Sequence, residues 1–516
     1  MNNMLKMLLQ CLLLQTLVIY CCTAQVPSNT NVLESKVVSR PNPKPTTYKI
    51  SVNLTSSLAA TDVRFLSVAT DNARVATKWK SSKKFENFAS ALSPCDFRLG
   101  GDSSNMVIFN PSQRVTRQSS FPGNLDSHKD IKMTGKQWEL IMKFIKNVGW
   151  DLMYDFNQFI RKDGLWDPTN AELLLNYSSA RGIRIPYFEL GNEPNAYKGN
   201  YDFVIDPPTL AKDFQILKTL ISKYPLYASS KLYGPDVTSL EIRSDARKYF
   251  LDFVAEIPYD VIDELSFHHY FGDGRTATAP DYLNATLLES LKNTLQMVLQ
   301  TSRTSSLPLR ARLTETYSFY SGGTPGLSDR YISGFQWLDK LGLSAQFGLT
   351  RVFRQSIIGG SYALINFRGD PTPDYYLSLL FKRLVEGPVF DVSIDVLNQN
   401  VRVYAHCARR GTYSPGALVI YYVNLDNAKA VLSVGQFKNA NLDLFLLTPG
   451  DKEGLTSKFV KLNGKKLPMK GPTVPPLLPK PFKGKVTVTA QSFGFIVVPE
   501  ANVKLCVDYF ANLNSQ

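Results

Sequence analysis

Histidine and cysteine are scarce in this chain of 516 residues, with four of the first and six of the second. Three of the cysteines, Cys11, Cys21 and Cys22, sit in an apolar N-terminal stretch. A disulfide-stapled scaffold is therefore excluded. The histidines follow no zinc-binding spacing, so no metal site is expected. A Gly-rich dinucleotide fingerprint is missing, which leaves nucleotide-dependent redox chemistry without support. No internal repeat or heptad is present, and beyond the N-terminus no run is long and apolar enough to span a bilayer. No cofactor is implied.

What is present begins with a secretory signal. Lys6 supplies the positive region, Met7 to Cys22 the apolar stretch, and Cys22-Thr23-Ala24 the small residues for cleavage before Gln25. Residues 1–24 are thus expected to be a signal peptide; Gln10 and Gln15 break the run and make it too short for an anchor. The mature chain is expected in the secretory route, outside the cell or in lysosomes, and as a monomer. It keeps Cys95, Cys407 and Cys506, and an oxidising compartment favours one bridge and one leftover thiol. Cys407 and Cys506 both lie in the β-rich C-terminal part and are paired here, leaving Cys95 as a small buried hydrophobe. Glycan acceptors occur at Asn53, Asn176 and Asn284. A net charge of +14 points to a polyanionic partner, and for a secreted chain that means an acidic polysaccharide rather than nucleic acid.

Strand and helix patterns alternate from about residue 60 to 385, with polar residues recurring where strands end. That is the signature of a (β/α)8 TIM barrel with its chemistry on the top face. A doubly wound sheet is the competing architecture. After about 386 short strands separated by turn residues read as a β-sandwich. The expected organisation is a segment 25–54 lending a strand to the sandwich, a barrel over 55–385, and the sandwich over 386–516.

Two carboxylates stand out. Ile185 to Leu190 is strand-like and runs into Gly191-Asn192-Glu193-Pro194, where the proline stops continuation and leaves Glu193 at the mouth of the barrel. Glu315 follows the strand-length run Leu307 to Leu313. Splitting a glycosidic bond needs a proton donor and a carboxylate on the opposite face of the sugar, and at roughly 5 Å separation the second attacks directly. Glu193 is the expected acid/base and Glu315 the expected nucleophile. Asn192 can hold a sugar hydroxyl beside them. His268 and Tyr270 close another strand, where they could contact either carboxylate or be ordinary core side chains.

These residues together resemble the heparanase family, the endo-β-glucuronidases of glycoside hydrolase family 79. The resemblance is strongest over Tyr187 to Asn195, Lys231 to Val237, His268 to Thr276 and Leu313 to Leu380. It implies a barrel with a β-sandwich, Glu193 as proton donor and Glu315 as nucleophile. It also implies Asp71, Asn192, His268, Tyr270, Arg275, Gly322 and Tyr362 around the sugar, a Cys407–Cys506 bridge, and heparan sulfate or hyaluronan as substrate. A catalytically silent heparan-binding protein is the reading from another class. The chain departs from the vertebrate pattern twice. The stretch from Pro111 to Gly135 is too short for an excised linker, and Glu241 stands where vertebrate enzymes carry a basic residue. Candidate polyanion contacts are Lys78, Lys80, Lys83, Lys84, Arg243, Arg247 and Lys248. A further basic group runs from Lys458 through Lys461, Lys465 and Lys466 to Lys470, in the expected sandwich.

Overall fold

The computed structural model describes residues 45–79, 81–112, 130–241, 244–304 and 309–514. The expected signal peptide 1–24, most of the 25–54 segment, Lys80 and Arg243 lie outside them, as does the side chain of Lys78.

Eight parallel strands close into a barrel in simple chain order. They are β1 (Leu66–Asp71), β2 (Cys95–Gly100), β3 (Trp150–Phe156), β4 (Tyr187–Leu190), β5 (Lys231–Val237), β6 (Glu264–His269), β7 (Ala311–Thr316) and β8 (Val352–Gln355). Several, β2, β6 and β7 among them, are buried at every residue. A parallel strand between a packed barrel interior and a layer of helices has no solvent face. Helices bear on the outside, and their ends are set locally. The helix Gly135–Val148 starts on Thr134, whose hydroxyl accepts from the Gln137 N–H while Gln137 reaches back, and stops at Gly149 with φ 71°. That reciprocal cap and the left-handed glycine satisfy the orphan groups at the two ends.

Two further sheets share a second apolar core. The smaller runs Val392–Ile394, Thr46–Val52, Ala430–Val434, Val486–Val488. The larger has nine strands, with Val401–Ala408, Leu418–Asn424, Ser492–Val498 and Asn441–Pro449 at its centre. Thr46–Val52 pairs in parallel with Ala430–Val434, so a segment ahead of the barrel is woven into the sheet behind it. Ala59–Thr61, which the sequence grouped with the barrel, also pairs here, against Val385–Phe390. Cys407 and Cys506 are joined in a disulfide across 99 positions, and Cys95 is free and buried.

The barrel and the sheets meet on the helix Ser333–Gln346, which is buried from Ser333 to Ala345. A Cβ on Gly334 would stand 2.3 Å from Phe493, and one on Gly342 2.5 Å from Tyr404. Only glycine admits such close approach of a sheet to a helix backbone. From the same helix Lys340 turns inward and donates to Thr316 Oγ1 at 2.7 Å, to the His269 carbonyl at 3.1 Å and to the Tyr317 carbonyl.

Candidate active site

A cleft of about 320 Å³ opens where the barrel strands end, lined by Asp71, Asp102, Asn192, Glu193, Tyr270, Arg275, Glu315, Gly322, Gln355 and Tyr362 among others. It brings together residues from most of the chain. Asp71 closes β1 and Gln355 closes β8; Asn192 and Glu193 follow β4; Tyr270 follows β6; Glu315 lies within β7. The sequence puts Glu315 at the end of its strand, and the strand Ala311–Thr316 carries it one residue from that end, because Thr314 and Thr316 continue the β-branched alternation.

The loop that carries Glu193 is locally strained. Glu193 itself has φ 55° and Asp236 φ 53°, both in the left-handed region that side chains avoid at a cost of about 1–3 kcal/mol. The Glu193 N–H donates to the Asp236 carbonyl at 3.0 Å, which ties the two turns together. At Gly191, φ 77°, a Cβ would meet the Gln158 side chain at 2.2 Å, so the turn that delivers Glu193 requires glycine.

The two carboxylates are held in different ways. Glu315 accepts from Arg98 Nη1 at 2.9 Å on one oxygen and from the Tyr270 hydroxyl at 2.8 Å on the other. Burial, with Glu315 beside it, pushes the Tyr270 phenol well above its ordinary range, so it stays a donor. Glu193 has His268 Nδ1 at 2.9 Å. The register places His268 beside Glu315 on the neighbouring strand, and its other nitrogen lies 3.7 Å from Asp236. Burial opposes a charge on His268, yet Glu315, Asp236 and Glu193 outweigh it and push the imidazole up to about 10. A proton is therefore held against Glu193 at neutral and acid pH. Glu193 keeps 20% and Glu315 11% of its side chain exposed, so both can be reached from the cleft.

Beneath them lies Arg98, fully buried on β2. Its fork donates to Glu189 at 2.7 Å, Glu315 at 2.9 Å, Asn192 at 3.1 Å and Asp236 at 3.3 Å. Burial disfavours its charge, but Glu189, Asp236 and Glu315 hold it well above the usual range. Burial alone would raise Asp236; Arg98 and His268 overcome that and keep it ionised, below the usual carboxylate range. Burial, with Glu315 next, raises Asp71 to about 6. Asp102 accepts from Asn192 Nδ2 at 3.0 Å. As a residue it is solvent-exposed, but its carboxylate sits in a recess crowded by Glu193, Glu315 and Asp71, and is raised.

The family model for glycosyl hydrolase family 79, N-terminal domain, matches residues 67–342. The chain belongs to glycoside hydrolase family 79. It is 33% identical to the heparanase of Mus musculus, over 89% of this chain and 91% of the relative. The hyaluronoglucuronidase of Hirudo nipponia is 30% identical, over 83% and 91%. An inactive heparanase-2 of Mus musculus is also 30% identical, over 74% and 67%. In fold the enzyme is similar to a 4-O-alpha-L-rhamnosyl-beta-D-glucuronidase from Fusarium oxysporum, with a TM-score of 0.62, 14% identity, and coverage of 88% of this chain and 100% of that one.

Of the residues singled out in the sequence, Asp71, Asn192, Glu193, Tyr270, Arg275, Glu315, Gly322 and Tyr362 line this family 79 cleft, with His268 directly behind it. Among the described residues, the basic candidates Lys83, Lys84, Arg247 and Lys248 do not line it. Lys84 is paired with Asp370, Lys83 lies 3.9 Å from Glu86 and Lys248 is paired with Asp252, while Arg247 is exposed. Asn53, Asn176 and Asn284 are exposed, as a glycan requires. Arg98, Asp102 and Glu189 went unnoticed. The alternation Asp96, Arg98 against Cys95, Phe97, Leu99 was the available signal, since two charges on one face of a buried strand must point at partners.

Proposed function

We propose that this enzyme is a secreted, retaining endo-β-glucuronidase that cuts internal glucuronide linkages of heparan sulfate by double displacement. The observation that carries the reading is the unequal holding of two carboxylates in one cleft. Glu315, fixed on both oxygens by cationic and phenolic donors, is a positioned nucleophile. Glu193, open to the cleft and backed by a proton-bearing imidazole that can pass its proton to it, is the proton donor.

In the first step Glu193 protonates the leaving glycosidic oxygen while Glu315 attacks the anomeric carbon and forms a glycosyl ester. Glu193, now ionised, takes a proton from water, whose oxygen attacks the same carbon and frees Glu315. Asn192 is held by Arg98 and Asp102 so that its amide can meet a sugar hydroxyl. Asp71, Arg275, Gly322 and Tyr362 complete the sugar site. The name of the heparanase relative and the excess of basic residues favour heparan sulfate. The disulfide suits an oxidising, extracytoplasmic compartment. Among the described residues that line the cleft, Arg275 is the one cation, against Asp71, Asp102, Glu193 and Glu315. That carboxylate excess repels sulfate near the scissile bond, and it favours hyaluronan as the second reading, in line with the name of the leech relative.

The test is incubation with each polymer, sizing of the products, and identification of the new reducing-end sugar and its anomeric form. Shortened heparan sulfate ending in a β-configured glucuronic acid is expected. Binding without shortening, or an initially α product, overturns the reading.

A further inference from the structure

A second cavity, of about 350 Å³, lies beside the catalytic cleft at the seam between barrel loops and sandwich. The wall between the two is a single tight segment. Gly360 and Ser361 line the second cavity, and Tyr362, the next residue, lines the first. The Ser361 N–H donates to the carbonyl of Gly322, itself part of the catalytic cleft, at 2.7 Å.

Its lining has the chemistry of a site for an anionic sugar. Phe367 stands 70% exposed, although the Arg74 guanidinium lies over its ring at 5.1 Å. An aromatic left this open offers a flat apolar face on which the C–H face of a pyranose can stack. Lys458 and Lys470, from the sandwich, also line the cavity and are exposed. The cavity's two aspartates are already engaged: Asp370 by Lys84, and Asp329 by Arg330 at 3.1 Å. Lys458 and Lys470 have no ion-pair partner among the described residues, so the balance facing the cavity is positive.

We propose that this cavity is a second binding site for the polysaccharide, which grips an anionic stretch of the chain beyond the catalytic cleft through Phe367, Lys458 and Lys470. It rests on the reading of the enzyme as a glycosaminoglycan hydrolase, and it reconciles a carboxylate-rich cleft with a strongly basic protein. Sulfate or carboxylate charge is captured next door, where it does not face Asp71 and Asp102. Lysines that meet a polyanion at an exposed site act through salt-sensitive attraction.

The experiment compares wild type with F367A/K458Q/K470Q. Binding of a heparin-derived dodecasaccharide is measured across a salt series, together with turnover of long heparan sulfate and of an aryl glucuronide, whose single sugar is confined to the catalytic cleft. The triple variant is expected to bind the dodecasaccharide at least fivefold more weakly, with a shallower salt dependence. Its KM for long chains should rise by a similar factor, and its kcat/KM for the aryl glucuronide should stay at the wild-type value. If dodecasaccharide affinity and salt dependence match wild type, or if the aryl glucuronide suffers equally, the site is overturned. If wild type binds but cleaves neither substrate, the hydrolase reading fails while the binding arm still decides the site. Should the triple variant fold poorly, K458Q/K470Q, confined to exposed side chains, is judged by the same binding criterion.

Discussion

Arg98→Lys isolates the geometry of the site from its charge. Arg98 presents four donor contacts to four side chains along a rigid planar fork. A lysine keeps the positive charge but offers its donors from one point, and it cannot satisfy Glu189 behind and Glu315 and Asn192 in front together. Losing the bond to Glu315 removes one charge-assisted hydrogen bond, worth about 1.5–3 kcal/mol. If that bond is what aims the nucleophile, its loss lowers kcat about 10- to 100-fold. Arg98 is fully buried and does not line the cleft, so KM should change by less than about threefold. The assay is steady-state cleavage of a defined heparan sulfate oligosaccharide, with a thermal melt of both proteins alongside. The melt should fall by several degrees, since buried carboxylates are left partly unpaired. A kcat within twofold of wild type in a folded R98K protein would refute the role of Arg98 as organiser of Glu315 and Asn192.

Glu193→Gln should slow polymer cleavage about 10²- to 10⁴-fold, yet spare the first step for an aryl glucuronide whose leaving group needs no proton; added azide should then yield a β-glucuronosyl azide, detected by NMR. Glu315→Gln should abolish cleavage of both substrate types without lowering the melting temperature, and persistent polymer shortening would remove Glu315 from the mechanism. Asp71 is raised from 3.8 to about 6, so its native carboxyl binds a proton more tightly than the unfolded one. That contribution is complete below pH 3.8 and lost as pH rises through about 6. The wild-type melting temperature should therefore gain, relative to D71N, on going from pH 7.5 to pH 5, by the equivalent of about 1.4 kcal/mol; parallel curves would show the shift to be absent. Breaking the Cys407–Cys506 bridge with C407S/C506S should cost about 2–4 kcal/mol in a denaturant melt, given the 99 positions it closes.

The barrel and the two carboxyl groups at its mouth could be read from the chain because their signals are local. A strand that ends in Gly-Asn-Glu-Pro announces a residue at a barrel mouth, and the seam from one strand to the next follows from order alone. What stayed hidden depends on pairing across distance. Arg98 has to be read together with Glu189, Asn192, Asp236 and Glu315, from three other segments, and nothing within Cys95–Gly100 says which of them it meets. Asp102 falls in a short turn after a glycine pair, where an aspartate is ordinary turn chemistry. Ala59–Thr61 is only three residues long and carries no alternation by which to assign it to a sheet. Lys83, Lys84 and Lys248 are conspicuous in sequence, yet each has an acidic neighbour in space.

The helix Ser333–Gln346 makes the accessory module impossible to amputate. One flank of it beds the aromatic rings of Tyr404 and Phe493, while Lys340 reaches the other way and clasps the backbone just past His268 and Glu315. Shearing away the C-terminal sheets would bare that bed to water and slacken the clasp on the reacting strands in one stroke. A barrel expressed by itself would lose its chemistry without losing a single residue that lines the catalytic cleft.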